Sequence, residues 1–212
     1  MEYFGKPEDW QADNLSADGS FDVLFRKESQ GRVEWDLMGE HNRMNALAAL
    51  AAGRHVGVPV EQGIEALGKF QNVKRRMEVR GVVNGVTVYD DFAHHPTAIA
   101  TTVAGLRARA GKARILAVLE PRSNTMKLGV MKNALPDSLQ DADKVFCYGA
   151  NLGWDAAEAL APIKAKSAVY SDLGQLVEAI AQEAKAGDQV LIMSNGGFGG
   201  IHNKLLERLQ QG

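Results

Sequence analysis

The 212 residues suffice for one large domain, or for one ordinary domain and part of another. Hydrophobic residues at 45% and charged residues at 24% describe a soluble globular chain with a proper core. A net charge of -2 excludes an electrostatic case for nucleic acid or an anionic membrane surface. No run approaches the roughly 18 consecutive apolar residues of a membrane span. The single cysteine, Cys147 in KVFCYG, excludes a disulfide framework and suits a reducing cytoplasm. Its apolar flanks read as a buried strand rather than a nucleophile's setting.

The opening, MEYFGKPEDWQAD, lacks the basic start and apolar run of a signal peptide and reads like the middle of a domain. Two strand-like runs follow, Phe21–Arg26 and Arg32–Leu37, separated by the turn-prone ESQG. Asn42–Ala52 is a helix pattern rich in alanine and leucine, and Pro59 opens a second helix running to about Phe70. These pieces form no self-contained fold and look like the tail of something larger. From Met77 onward, strands are expected at Glu78–Val83, Val86–Asp90, Ile115–Leu119, Lys144–Tyr148, Ala168–Tyr170 and Gln189–Met193, with Asn84-Gly85 turning the first pair. Helices are expected at Thr97–Arg109, Gly129–Leu139, Asp172–Ala186 and Ile201–Gln210. Such alternation predicts an α/β fold with a doubly wound, mainly parallel sheet, which binds ligands at the carboxyl ends of its strands.

Three segments dense in polar groups or glycine follow predicted strands. In YDDFAHHPTAI, the residues Asp90, Asp91, His94 and His95 lie within six positions. A metal site is one reading, since carboxylate and imidazole are ordinary ligands, though no second cluster supplies the remaining ones. Asp91 satisfying backbone donors before a helix is another. A phosphate-end or ribose contact for Asp91, with the histidines shaping a cleft, suits the strand end better. In EPRSNTMKLG, Arg122 offers a planar fork to a carboxylate, with Ser123, Asn124, Thr125 and Lys127 beside it. A serine cap accounts for one of these residues and not for all five. In SNGGFGGIHNKL, the glycines let backbone approach a ligand and leave free amides at a helix start, although ligand-free glycine turns are common.

The first part adds GEHNRMNALAA, where Asn42 and Asn45 share a helix face and have the edge chemistry to read adenine. Arg76 follows in KRRMEVRG, at the apparent domain junction. It is either a triphosphate-neutralising arginine or part of a solvated basic hinge.

Together HNRMN, the arginine of KRRMEVRG, DDFAHHP, EPRSNTMKLG and GGFGGIH resemble the Mur ligase family, which joins amino acids or peptides to UDP-N-acetylmuramoyl precursors. The EPRSNTMKLG segment most resembles the family's tripeptide-recycling branch, with the L-alanine ligases a near alternative. The resemblance implies that residues 1–75 are the end of a central ATPase domain and 76–212 a Rossmann-like carboxy-terminal domain. It implies ATP contacts at Asn42, Asn45, Arg76 and Asp91, the last two also counted as catalytic. His94, His95, Arg122, Ser123, Asn124, Thr125, Lys127, Gly196, Gly197 and Phe198 would line the substrate cleft. The implied substrates are ATP, UDP-N-acetylmuramate and murein tripeptide, joined through an acyl phosphate.

No G-x-x-x-x-G-K-[ST] segment occurs in the chain, so the phosphate cradle and the ligands for Mg2+ are expected in a missing upstream half. A chain without them is expected to be inactive alone. Two readings of other classes remain: a non-catalytic α/β module that binds peptide or nucleotide, and a metal-dependent hydrolase built on Asp90–His95.

Overall fold

The computed structural model describes residues 9–212 except Ala17, Asp36, Met38 and Asn72, so the reading of the first eight residues lies outside it. The chain divides into two compact units, Met1–Val73 and Lys74–Gly212.

In the first unit, β1 (Trp10–Asp13), β2 (Phe21–Phe25) and β3 (Glu28–Val33) form an antiparallel sheet in that order. Phe21, Val23 and Phe25 alternate inward along β2, and they pack with Trp10, Trp35, Leu47 and Leu50. Helices α1 (Glu40–His55) and α2 (Val60–Gly68) complete this core. The strand expected at Arg32–Leu37 instead spans Glu28–Val33. The reversal is Arg26-Lys27, with φ of 51° and 69°, and not ESQG. Phe25 pairs with Glu28 across it, giving the two-residue turn whose positive φ angles match hairpin twist. Gly31, at φ 123°, accommodates the register shift beside Val23 and Leu24. Asp36, within the expected strand, lies outside the described residues.

The second unit is a six-stranded, mostly parallel sheet. Its strands are β4 (Glu78–Val83), β5 (Val86–Asp91), β6 (Ile115–Leu119), β7 (Lys144–Tyr148), β8 (Ser167–Tyr170) and β9 (Gln189–Met193). They are ordered β4-β5-β9-β6-β7-β8, and only β4 and β5 pair antiparallel. Helix α3 (Pro96–Ala110) and the short α4 (Asn124–Lys127), α5 (Leu135–Ser138) and α6 (Ala156–Ala159) follow strands in turn, then α7 (Leu173–Glu183) and α8 (Ile201–Gln210). Tyr89, Ile115, Ala117, Val145 and Leu191 point to one face, against Ile99, Val103 and Leu106 of α3. Val88, Leu116, Val118, Val190 and Ile192 point to the other, against Leu176 and Ile180 of α7 and Leu205 of α8. Strands apolar on both faces are those of a covered parallel sheet.

The single helix expected over Gly129–Leu139 is absent. Gly129 takes φ 73° and Pro136 supplies no backbone N–H, so the segment breaks into a 3-10 turn at Lys132–Ala134 and the one-turn α5. No helix among the described residues is long and apolar enough to cross a membrane.

Candidate functional site at the carboxyl edge of the sheet

The strand order sets β9 between β5 and β6, so the three singled-out segments emerge side by side at one edge. Ser194 stitches them together. Its N–H donates to Asp91 O at 3.1 Å, and its hydroxyl donates to Glu120 Oε2 at 2.6 Å. That hydroxyl also accepts from Gly196 N at 3.0 Å, while Glu120 N donates to Met193 O at 3.1 Å. Ser194 is only 1% exposed, so each of these bonds forms away from water, where an unmade one is costly.

Asp90 and Asp91, adjacent in sequence, point to opposite faces because strand side chains alternate. Asp91 lies on the α3 side, where its Oδ2 accepts from Met77 N at 2.9 Å and its Oδ1 from Ala93 N at 2.8 Å and Thr102 Oγ1 at 3.3 Å. Asp90 lies on the α8 side, 3.2 Å from Arg75 Nε. The four-residue cluster read from the sequence is thus divided by the sheet. His94 and His95 follow, with ring centroids 4.2 Å apart, and His94 Nδ1 is 2.9 Å from Phe92 O. Nδ1 of His95 is buried without a hydrogen-bond partner. Arg76 is exposed, its guanidinium 6.0 Å from the Phe92 ring centroid.

Ser123 caps α4 by accepting from Met126 N at 3.3 Å. Asn124 and Lys127 are exposed, and Thr125 is half-buried. Arg122 is exposed and lies against the glycine loop: a Cβ built on Gly196 would come 2.6 Å from its Cζ. Gly196 is therefore the residue that admits Arg122, and Gly197 beside it is open to solvent. Phe198 faces inward. At 1% exposure its ring packs 5.7 Å from Tyr148, so it anchors the loop from beneath and offers no side-chain surface to a ligand.

Three further residues converge here without a sequence signal. Arg75 takes φ 61° and donates to the carbonyls of Ser194 and Gly196, the latter at 2.8 Å, tying the loop to β5. Arg80 and His202 meet Asp90 from either side, at 3.8 and 3.4 Å. Burial lowers the His202 pKa from 6.5, and the nearby Arg80 and Arg75 charges lower it further, against the opposing pull of Asp90.

In the first unit, Asn42 is half-buried and Asn45 exposed in the opening turns of α1.

An open α/β sheet with a polar carboxyl edge is the architecture of a ligand-binding doubly wound domain. The chain belongs to the Mur ligase family, whose glutamate ligase domain matches residues 75–196. It is 51% identical to the UDP-N-acetylmuramate–L-alanyl-γ-D-glutamyl-meso-2,6-diaminoheptandioate ligase of Escherichia coli K12, over 99% of this chain and 46% of that protein. The ligase of the same name from Haemophilus influenzae is 46% identical, over 99% of this chain and 47% of its own length. A crystal structure of a murein peptide ligase from Psychrobacter arcticus 273-4 superposes with a TM-score of 0.70 at 42% identity. It covers 95% of this chain and 44% of that one. The chain thus spans about half the length of these relatives.

Proposed function

We propose that this chain is the carboxy-terminal half of a cytoplasmic, ATP-dependent amide ligase that attaches L-Ala-γ-D-Glu-meso-diaminopimelate to UDP-N-acetylmuramate. The observation that carries the reading is the 51% and 46% identity, across 99% of the chain, to ligases named for this substrate pair. The closeness of Arg122 to Gly196 supports it, because a guanidinium beside the glycine loop can present its fork to a peptide carboxylate. Residues 1–75 would be the end of the central ATPase domain and 76–212 the carboxy-terminal domain.

ATP would activate the lactyl carboxylate as an acyl phosphate with loss of ADP. The L-alanyl amine then attacks the carbonyl carbon, loses its proton, and phosphate leaves as the C–O bond breaks. Arg122 and Lys127 would neutralise tripeptide carboxylates, while Ser123, Asn124, Thr125 and the Gly196–Gly197 backbone orient the amine-bearing end. His94 and His95 would wall the cleft. Arg76 would face the triphosphate, and Asn42 and Asn45 the adenine. Asp91, whose oxygens are committed to Met77 N, Ala93 N and Thr102, would act through the backbone it fixes beside Arg76. The chain has no phosphate loop, so it fits as a closing face; the cradle for the β- and γ-phosphates and the ligands for Mg2+ belong to an upstream half.

Calorimetry on the 212-residue chain tests this reading. The tripeptide should bind, and its carboxyl-amidated form or an Arg122→Ala chain should lose most of the affinity. Equal binding of free L-alanine would move the assignment to the L-alanine ligases. Tripeptide-dependent phosphate release by this chain alone would overturn its role as an inactive half.

A further inference from the structure

The face of the sheet opposite Asp91 holds a recess. It is lined by Arg75, Arg80, Asp90, His202, Asn203 and the glycine backbone at 196, 197 and 200, with a volume of about 230 Å³. Arg80 enters it because of a bulge. Val79 pairs with Tyr89 and Gly81 with Val88, which leaves Arg80 as the extra residue of β4. A bulge re-aims its side chain, and here the guanidinium comes to 3.8 Å from Asp90 and 3.7 Å from Glu78. Neither approach is a hydrogen bond, so the donors of Arg80 are available.

The opposite wall is the start of α8. Its N-cap, Gly200 at φ 73°, has no side chain to cap the helix; Ile201 N donates to Phe198 O, and no side chain of the N-cap meets the amides of His202 and Asn203. Between the walls sits His202, 7% exposed, whose Nε2 has no hydrogen-bond partner and lies 3.4 Å from Asp90 Oδ1. A buried polar nitrogen left unpaired is uncommon in a folded protein and calls for a partner. The lining carries two guanidinium groups and one carboxylate, with Glu78 also 3.7 Å from Arg80, and the helix start adds its partial positive charge.

We propose that this recess is an oxyanion site, taking a carboxylate or phosphate group between Arg80, His202 Nε2–H and the first turn of α8. Its size, below that of pockets for drug-sized ligands, admits a small anion or the anionic end of a larger molecule and not a whole nucleotide. Asp90 orients the arginines from the floor, while the anion completes the donors that Asp90 leaves unmet. The site shares only the Gly196–Gly197 backbone with the Arg122 side of the loop, so it stands whether or not the chain is part of a ligase.

Amide and imidazole NMR of the 212-residue chain tests this, with sodium phosphate and sodium acetate titrated separately at constant ionic strength. Saturable shifts are expected at Ile201, His202 and Asn203 and at the His202 ring. Saturation by one anion alone identifies which oxyanion the site prefers. Arg80→Gln should weaken binding about tenfold, as expected for loss of a charge-assisted donor. Asn203→Asp, at an exposed position, should weaken it by repulsion without disturbing the fold. Shifts that never saturate with either anion, or affinities unchanged in both variants, would overturn the proposal.

Discussion

Asp90 and Asp91 share a strand end and are 3% and 2% exposed, yet the sheet gives them different work. On the α3 face, Asp91 is consumed by its own protein: two backbone N–H groups and a hydroxyl converge on its oxygens. On the α8 face, Asp90 meets two arginines, one of which keeps donors in reserve, and an imidazole whose Nε2 lies 3.4 Å away without a hydrogen bond. One carboxylate closes a structure, whereas the other leaves a recess. A pair of like residues in a motif is therefore no evidence of a paired role, because the period of two sends neighbours to different environments.

The largest effect expected is on stability. Asp91→Ala strands the Met77 and Ala93 N–H groups and should cost about 3 kcal/mol in urea unfolding. Asp90→Ala should cost less, about 1 kcal/mol, since Arg75 keeps its two loop carbonyls. Equal losses would erase the contrast between the two faces.

Gly196→Ala sharpens it next. A methyl there displaces Arg122 and should weaken tripeptide binding about tenfold by calorimetry, with the unfolding midpoint little moved, since Arg122 is exposed. Unchanged affinity would detach Arg122 from the peptide.

A pH series then probes the α8 face. The folded-state pKa of His202 lies below its unfolded value of 6.5, so the folded state binds fewer protons. Its contribution is present above pH 6.5 and is lost as pH falls from there through the folded pKa. In His202→Gln that part of the acid slope should vanish; a slope identical to the parent would remove His202 from the account.

The smallest effect concerns the core beneath. Burial pushes the Cys147 thiol up to about 12, so alkylation at pH 8 should require unfolding. Rapid modification of the native chain would show the sheet opening locally.

Much of the second unit was legible from local pattern. Ile115–Leu119, Lys144–Tyr148 and Gln189–Met193 are apolar runs bounded by turn residues, and they form strands over those spans. Ile201–Gln210 is helical over the expected span, its apolar residues falling on one stripe. Trp10–Asp13 escaped notice because four residues carry too little period, and its strand exists only through pairing with β2. The Arg26-Lys27 turn escaped because neither residue is one of the usual carriers of positive φ. Of the site, the three loops were visible as polar insertions after strands. The inward turn of Phe198, between glycines, was not.

Residue chemistry and local period by themselves determined the parallel α/β sheet, the three loops at its carboxyl edge and the absence of a phosphate loop. These depend on neighbours within a few positions, which is the range over which side-chain alternation and turn preference act. Tertiary structure alone decided which loops would touch. Only the order β5-β9-β6 joins Ser194 to Asp91 and Glu120, and only a bulge in β4 sets Arg80 beside Asp90 and His202. Arg75 reaches Gly196 across a separation of 121 residues. No pattern along the chain encodes such a contact, because it exists only once the sheet has assembled.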